Sequence, residues 1–423
     1  MKVAYLNPTG QLGGAEKALL DLIISVRAVE PQYEPHLIVA ADGPFAKEAA
    51  ALQIPVHIVP LPFALARLGD SAAGGHAGTQ TSKIQLLLRL LNASFLLLTY
   101  ARQLRRMLVN LAPAIIHSNG FKMHALGLLA APRSTPLVWH IHDYISSRPV
   151  MKQLVRWGHK RCAAIIANSH SVAEDIQSVC SNKTPIHPVH NAIDLNYFSP
   201  LGNKLELDAL AGLPPTTTEI IRVALLGTMA RWKGHEVFLR ALSLLPATLP
   251  VRGYVIGGAL YQTDGSQYSI EELRQSAAKL GLQHRVGFTG FISDPAAAMR
   301  ACDIVVHAST APEPFGLVIA EAMACARAVI VSQAGGATEL VQISETALGH
   351  TPGNAQELAD RITQLVTNAA QRQQLGAAAH QASRIHFTHH RLANEILPIY
   401  KGLLVQQDYR ASKAGVPAVA NYK

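Results

Sequence analysis

Short apolar runs alternate with longer mixed segments along most of the chain. The runs of the first half are KVAYL, HLIVA, VHIVP, AIIHS, LVWHIH and AIIAN, and those of the second half are RVALLGT, GYVIG, RVGFTG, DIVVHAS and AVIVSQ. Apolar runs of this length are typical of strands buried on both faces, and the segments between them can hold crossover helices. The pattern predicts two successive parallel α/β sheets.

Two such series in 423 residues predict two Rossmann-like domains, because a single hydrophobic core seldom serves so long a chain. The segment YFSPLGNKLELDALAGLPPTTTE is rich in Pro, Gly and Thr, and it separates the two series. We therefore expect an N-terminal domain over residues 1–200 and a C-terminal domain over residues 201–395. Residues 396–423 are expected to form a closing helix and a flexible tail.

Charge is distributed unevenly along the chain. Of the net charge of +9, residues 1–200 carry +7 and residues 201–423 carry +2, and no acidic residue lies between Asp70 and Asp143. This basic excess predicts an anionic partner, such as a nucleic acid, a membrane surface or a phosphorylated substrate. Aromatic residues are only 6% of the chain and do not interleave the basic runs, which argues against nucleic acid.

The cysteines and the first residues indicate a cytoplasmic protein. None of the four cysteines belongs to a C-x-x-C pair, so we expect neither a zinc site nor a disulfide framework. The first residues lack the long apolar stretch and cleavage site of a signal peptide. We therefore expect a cytoplasmic location.

Residues 83–108 form a strongly apolar segment with basic ends. Its apolar part is shorter than the roughly 20 residues that span a bilayer. Two interpretations stay open: a buried packing helix, or an interfacial helix that forms the wall of an acceptor groove. Peripheral association with the anionic inner face of the membrane is favoured by a second basic stripe, made of Lys152, Arg156 and Lys160. Residues 66–82 are expected to be a mobile loop.

Two loops that follow predicted strands offer groups for an anion. In TGQLGGAEK, Gly13 and Gly14 would let backbone N–H groups approach a ligand at the start of a helix, although an ordinary tight turn has the same composition. In LLGTMARWKGHEVFLRAL, Arg231 and Lys233 suit a diphosphate, although surface cations are common. Ligands of open α/β sheets bind at such loops.

The stretch EPFGLVIAEAM places Glu313 before a turn and Glu321 inside an apolar helix. Pro314 can open that helix, and its dipole and first N–H groups would then form an anion site. Those donors belong to Phe315, Gly316 and Leu317. A buried Glu321 must accept hydrogen bonds, either from the hydroxyls of a sugar or from a core arginine.

PLVWHIHDY ends a predicted strand with His140 and His142, which point to the same face because strands have a period of two. No third ligand stands at metal-ligand spacing, and no D-x-D motif occurs in the sequence. We therefore expect a site that uses histidine without a metal.

The stretch PEPFGLVIAEAMACARAVIVSQAGGATELV resembles the signature of glycosyltransferase family 4, the retaining GT-B transferases of glycosyl transferases group 1, whose E-x7-E pair is here Glu313 and Glu321. Further matches are NPTGQLGGAEKAL, HDY, ANSHSVAEDI, HNAIDLNYFSP, RWKGHEVFLRAL, GFTGFISD and the pair Gly335 and Gly336. These segments keep the family's order from residue 1 to about residue 405.

The resemblance implies a GT-B fold, in which two Rossmann-like domains face each other across a deep cleft. It implies that Glu321 binds the ribose of a nucleotide-diphosphate sugar, that Glu313 contacts the sugar and that Lys233 holds the diphosphate. It further implies that Gly13 and Gly14 approach the phosphates. His142 matches the histidine near the reacting sugar, with His140 as a close rival.

This chain departs from the family pattern at three places. The usual Gly-Arg after the first strand of the second domain is Gly227-Thr228, and whether Arg231 supplies the lost cation is left open. The usual NG-x-D is Asn191-Ala192-Ile193-Asp194, and Ala326 replaces a glycine.

The implied activity is that of a retaining, metal-independent hexosyltransferase that needs no cofactor. Its partners would be a nucleotide-diphosphate sugar and a sugar or lipid-linked acceptor in cell-envelope polysaccharide or glycolipid assembly. A different GT-B enzyme, such as a nucleotide-sugar epimerase or a phosphorylase, and a non-catalytic nucleotide-sugar binder remain alternatives. The sequence specifies neither the base, the sugar nor the acceptor.

Overall fold

The computed structural model describes residues 1–66, 83–180, 183–215, 219–258 and 266–413. Backbone contacts divide the chain into two compact units. The first unit holds Met1–His190 and the segment that begins at Leu392, and the second unit holds Asn191–Arg391. The expected loop after residue 66 and the part of the expected tail after residue 413 lie outside the described residues.

The first unit is built on a parallel sheet that has seven strands within the described residues, in the order β3-β2-β1-β4-β5-β6-β7. The strands are β1 (Lys2–Asn7), β2 (Glu34–Val39), β3 (Val56–Ile58), β4 (Ile115–Asn119), β5 (Leu137–Ile141), β6 (Ala164–Ala167) and β7 (Ile186–Pro188). The apolar runs predicted the first six, whereas the three-residue β7 was missed.

Helices follow the strands of this sheet. They are α1 (Gly14–Val29), α2 (Pro44–Ala51), α3 (Phe63–Ala66), α4 (Lys83–Leu111), α5 (Phe121–Ala130), α6 (Pro149–Gly158) and α7 (His170–Val179). Ser169 starts α7 as an N-cap, because its hydroxyl accepts a hydrogen bond from the amide of Val172 at 3.1 Å. Among the described residues, no helix combines the length and the apolar character that crossing a bilayer requires.

Helix α4 covers the segment for which two interpretations were open. Tyr100, Leu104 and Leu108 recur every four residues and are buried in the core of the first unit. On the same helix, the side chains of Phe95 and Leu98 are 64% and 48% exposed. The described part of α4 therefore packs through one face and presents apolar side chains on another.

The second unit holds a second parallel sheet, which has six strands in the described part of the chain, in the order β10-β9-β8-β11-β12-β13. The strands are β8 (Ile221–Leu226), β9 (Val251–Ile256), β10 (Val286–Gly290), β11 (Ile304–His307), β12 (Ala328–Ser332) and β13 (Leu348–His350). The helices are α8 (Leu207–Leu210), α9 (His235–Leu244), α10 (Ile270–Lys279), α11 (Pro295–Arg300), α12 (Leu317–Ala324), α13 (Ala355–Thr367) and α14 (Ala369–His386). Two parallel α/β units confirm the predicted fold class.

The Pro- and Gly-rich segment near residue 200 is part of the second unit and not a linker between units. Phe198 and Leu207 are buried in the core of that unit. The buried Arg300 guanidinium donates to the carbonyl oxygens of Asn203 at 2.7 Å and Tyr197 at 3.2 Å. These contacts explain why the boundary lies at residue 190 instead of residue 200.

The last helix, α15 (His389–Lys413), joins the first unit from Leu392 onward. The Tyr400 hydroxyl lies 2.7 Å from Nδ1 of His117 and 3.2 Å from the Tyr5 hydroxyl. Lys401 forms an ion pair with Glu30 at 2.7 Å. The C-terminal helix is thus an integral part of the first unit, not the separate segment that was expected from residue 396.

Candidate active site

A buried carboxylate with a lysine partner lies at the carboxyl end of β11 in the second unit. Glu313 is 6% exposed, and the Lys233 ammonium donates to Oε1 at 2.9 Å and to Oε2 at 2.7 Å. Oε2 also accepts from the Ser309 hydroxyl at 2.9 Å and lies 3.1 Å from Nε2 of His307. The structure therefore joins two of the candidate residues in one cluster.

Backbone contacts bring Lys233 to Glu313 across eighty positions of sequence. The carbonyl of Trp232 accepts a hydrogen bond from the Thr310 amide at 2.7 Å. Gly234 has φ +78°, and a Cβ at that position would lie 1.8 Å from the carbonyl oxygen of Ala308. Only glycine allows this approach, so the turn that carries Lys233 lies directly against the loop that leads to Glu313.

Opposing effects set the charge of Glu313. Burial alone would raise the pKa of its carboxyl, but the nearby positive charge of Lys233 and the hydrogen bond from His307 lower the pKa far below its usual range. The carboxylate therefore stays ionised at every physiological pH. A buried charge with this set of partners is fixed in position and holds the ammonium group in turn.

The helix after this loop begins later than the sequence suggested. Helix α12 starts at Leu317 and Gly316 is its N-cap, so Pro314 precedes the helix and does not open it. The Phe315 side chain is 3% exposed and belongs to the core. Glu321 lies inside α12 and is half-buried rather than fully buried.

Arg231 lies beside this cluster but has a partner of its own. Its guanidinium pairs with the Glu272 carboxylate at 3.0 Å and lies 4.3 Å from the centre of the Tyr268 ring. Its side chain is 45% exposed. In this structure Arg231 is thus held at the start of α10 and is not part of the Lys233–Glu313 cluster.

The glycine loop of the first unit has an internal partner that the sequence did not reveal. Gly13 caps α1, and its amide donates to Oε2 of Glu16 at 3.1 Å. Glu16 is 7% exposed, and burial raises the pKa of its carboxyl. The Gly13 amide is therefore occupied within the loop, whereas Gly14, the first helical residue, is exposed.

The two candidate histidines occupy different environments. His140 is 3% exposed, and neither of its ring nitrogens has a hydrogen-bond partner among the described residues. His142 is half-buried, and its Nε2 lies 2.6 Å from Oδ1 of Asn119. The two ring centres are 4.0 Å apart. His142 is the one whose ring combines a polar anchor with exposure.

The sequence analysis missed the polar residues that support both groups. Ser309 and His307 lie under Glu313, and Asn7 and Asn119 end neighbouring strands of the first unit. A signal for the asparagines was present, because polar residues that directly follow buried strands lie at the edge where ligands of parallel sheets bind.

Comparison with known proteins supports the resemblance over most of the chain. The family model of Glycosyltransferase Family 4 matches residues 12–197, and the model of Glycosyl transferases group 1 matches residues 215–382. Two similar proteins are D-inositol 3-phosphate glycosyltransferases. The one from Jonesia denitrificans is 27% identical, over 68% of this chain and 71% of that protein, and the one from Mycolicibacterium vanbaalenii is 30% identical, over 58% and 59%.

Solved structures give the same result for the fold. Anabaena HepE in complex with UDP-glucose superposes with a TM-score of 0.74 and is 25% identical, and the match covers 95% of this chain and 100% of that chain. A sucrose-phosphate synthase from Thermosynechococcus elongatus shares the fold at a TM-score of 0.73 and 18% identity, over 96% of this chain and 100% of that chain. With both sheets, the Glu313 motif and both family models in agreement, the chain belongs to glycosyltransferase family 4, within glycosyl transferases group 1.

Proposed function

We propose that this chain is a retaining glycosyltransferase that moves a sugar from a nucleotide-diphosphate sugar to an acceptor hydroxyl. The observation that carries the proposal is the Lys233 ammonium, which a buried carboxylate holds at the carboxyl end of a parallel sheet. Departure of a nucleoside diphosphate places negative charge on its phosphate oxygens. A fixed cation at such an edge is what that leaving group requires.

In the proposed mechanism the acceptor hydroxyl attacks from the face that the diphosphate leaves. The bond from the anomeric carbon to the phosphate oxygen breaks, the bond to the acceptor oxygen forms, and the leaving phosphate takes the acceptor proton. Glu313 acts as the anchor of Lys233 and not as a nucleophile, because partners hold both of its oxygens and its pKa is strongly lowered. His142 orients the sugar.

The stereochemistry of the product tests this mechanism. NMR of the first product should show the anomeric configuration of the donor, and mass spectrometry should find no sugar attached to the protein. A trapped glycosyl adduct on Glu313 would contradict the front-face mechanism. A product of inverted configuration would contradict retention.

A donor screen tests the nucleotide. Thermal shift against UDP-, GDP- and ADP-sugars should single out one base, and the first candidate is UDP-glucose because the related HepE binds it. Glu321→Gln is expected to weaken that binding, with the exposed Glu345→Gln as a matched control. Slow hydrolysis of the donor without acceptor would separate a transferase from a protein that only binds nucleotide sugars, and an acceptor-independent change of the sugar would indicate an epimerase.

We also propose that transfer needs no divalent metal ion. The absence of a D-x-D motif supports this proposal, because many metal-dependent sugar transferases hold their ion on such a pair. Activity should therefore be the same in excess EDTA and in added Mg²⁺ or Mn²⁺. A loss of activity in EDTA that Mn²⁺ restores would show the proposal to be wrong.

We further propose a sugar or lipid-linked acceptor at an anionic membrane surface, as in cell-envelope assembly. On α4 the exposed Phe95 and Leu98 share a helix face with the exposed Arg102 and Arg106. On α6 Trp157 is 72% exposed, next to the exposed residues Lys152, Arg156 and Lys160. Apolar side chains mixed with cations suit the interface of an anionic bilayer.

Sedimentation with vesicles tests this surface. The protein should bind vesicles that contain phosphatidylglycerol at low salt and should not bind neutral vesicles, since screening weakens attraction between exposed charges. The Arg102→Glu, Arg106→Glu double variant should lose the binding. The matched control reverses two exposed cations of the second unit, Lys204 and Lys279, and should retain it.

A further inference from the structure

A continuous chain of hydrogen bonds connects the start of α1 to His142 within the first unit. Asn7 Nδ2 donates to Oε1 of Glu16 at 3.4 Å, and Asn119 Nδ2 donates to Oδ1 of Asn7 at 2.8 Å. Oδ1 of Asn119 then lies 2.6 Å from Nε2 of His142. Asn7 and Asn119 are completely buried, so the hydrogen bond between them forms away from water.

The direction of this chain follows from one backbone carbonyl. Nδ2 of Asn7 also lies 2.9 Å from the carbonyl oxygen of Thr9, which can only accept. The amino group of Asn7 must therefore face Thr9, and its oxygen must face Asn119. Asn119 has to present its own amino group to Asn7 and its oxygen to His142. Nε2 of His142 is thus the donor in the 2.6 Å contact.

A neutral imidazole that carries its proton on Nε2 has a lone pair on Nδ1. Burial lowers the pKa of His142 to about 4, so the ring is neutral at physiological pH. The neighbouring His140 packs against the same ring and has no hydrogen-bond partner in the described part of the chain. Asn119 is therefore the group that decides which nitrogen of His142 is the acceptor.

We infer that Asn119 is a positioning residue that holds His142 as the Nε2–H tautomer and thereby offers Nδ1 as an acceptor to a sugar hydroxyl. Asn7 and Glu16 keep the Asn119 amide from turning over. The inference rests on the proposed function for its sugar ligand, whereas the tautomer itself is a property of the protein alone. If the Asn119 amide turned over, its amino group would donate to Nε2 of His142, and Nδ1 would carry the proton and could not accept a hydrogen bond from a hydroxyl.

The tautomer can be measured without any substrate. The full-length chain is labelled with ¹⁵N-histidine, and the signals of His142 are assigned by their loss in His142→Gln. The expected spectrum at neutral pH has a protonated Nε2 and an unprotonated Nδ1. A protonated Nδ1 would overturn the inference even if the protein proved to be an active transferase, and failure of transfer would leave this result unaffected.

Variants then test whether the tautomer matters for transfer. Asn119→Ala should mix the two tautomers in the spectrum and lower kcat about 10²-fold with a much smaller change in donor KM, because the sugar is bound but misoriented. Asn119→Asp keeps an acceptor opposite Nε2 but loses the amino group that donates to Asn7, so it should keep the native His142 spectrum and retain more of kcat than Asn119→Ala. Ser118→Ala is the matched control: this serine lies beside Asn119 on β4 and contacts His124 of α5, and its loss should leave the His142 signals and kcat unchanged.

Two results would contradict the positioning role. The first is an unchanged kcat in Asn119→Ala. The second is an equal loss of kcat in Asn119→Ala and Asn119→Asp, if the His142 spectrum of Asn119→Asp stays native. If Asn119→Ala does not fold, the wild-type spectrum and the Asn119→Asp pair still decide the question.

Discussion

The first unit holds His142 through amide hydrogen bonds, whereas the second unit holds Lys233 and Glu313 as a charged pair. His142 is anchored through the side-chain amides of Asn119 and Asn7. Glu313 and Lys233 form an ion pair, and the carboxylate is buried. A neutral acceptor fixes the direction of a hydroxyl, while a cation stabilises a charge that grows during the reaction.

The same contrast extends to the residues below each group. His117, His124 and His140 are buried near His142, and burial lowers the pKa of each ring, to about 3 for the first two. For Glu313 the partners favour the charged form instead, because Lys233 and His307 lower the pKa of its carboxyl. Near His142, the first unit therefore stabilises the neutral form of three histidine rings. The cluster of the second unit stabilises the ionised form of one carboxylate.

Acid should produce the largest effect. It should destabilise the first unit, with three buried rings beside His142, more than the second unit, where burial lowers the pKa of His235 and His350. Above pH 6.5 the three buried rings are neutral in both the folded and the unfolded chain. As the pH falls, the rings of the unfolded chain bind protons, whereas the rings of the folded chain stay neutral because their pKa is lowered. The free energy of unfolding therefore decreases, by about 2 kcal/mol for each ring at pH 5. Glu313 loses its contribution only when the pH falls below the ordinary carboxyl range.

Hydrogen exchange at pH 7 and pH 5 would localise this loss. Peptides from β4 and β5 should lose more protection than peptides from β11 and β12. His140→Leu removes a ring that has no hydrogen-bond partner in the described residues, and it should reduce the acid sensitivity. Equal loss in both sheets, or an unchanged acid response in His140→Leu, would remove the contrast between the units.

Loss of the lysine should produce the next largest effect. Lys233→Ala removes the cation that faces the leaving group, and kcat should fall about 10²- to 10³-fold. It also leaves the Glu313 carboxylate buried without its main partner, at a cost of about 3–5 kcal/mol in the free energy of unfolding. Steady-state kinetics and urea unfolding measure the two losses.

A double variant separates these two losses. Lys233→Met with Glu313→Gln removes both charges, so stability should largely return while activity stays low. Lys204→Ala, at an exposed position of the same unit, is the control for loss of a lysine. Wild-type kinetics in Lys233→Ala would show that the lysine does not serve the leaving group.

The sequence predicted most strands of the two sheets because they lie in short apolar runs, whereas the three-residue strands β7 and β13 carry no such signal. It failed where the information is not local. Arg300 binds three backbone carbonyls of the Pro- and Gly-rich segment and so assigns that segment to the second unit. Tyr400 reaches His117 across most of the chain length, which explains why the last helix belongs to the first unit.

For the candidate site, the sequence supplied the residue types but not their pairing. Lys233 and Glu313 were both expected to contact a ligand, and nothing in their local sequence showed that they contact each other. The Gly13 amide was expected to bind a phosphate, but Glu16, three residues along, accepts its hydrogen bond. Local patterns locate the loops, while the contacts between loops depend on close approaches such as that of Gly234 to Ala308.

A smaller effect on kcat is expected from Ser309, which donates a hydrogen bond to Glu313. Ser309→Ala removes a buried hydroxyl that donates to Oε2 of Glu313, and a hydrogen bond to a charged group contributes about 1.5–3 kcal/mol. The ion pair remains, so kcat should fall only about tenfold. Ser243→Ala, whose hydroxyl contacts a helix carbonyl, is the control. An effect as large as that of Lys233→Ala would mean that the serine itself touches the substrate.

The smallest effect is expected at Arg231, and it bears on the missing family arginine. Its partner Glu272 also forms the capping box of α10 with Ser269, so the guanidinium is attached to a surface element rather than to the Glu313 cluster. Exposed ion pairs contribute little, and Arg231→Ala should change kcat/KM by less than about threefold. Arg240→Ala, on the surface of the same unit, is the control. A loss of tenfold or more would mean that Arg231 leaves Glu272 when the donor binds and supplies a second cation, in which case the charge of the second unit's site does not depend on Lys233 alone.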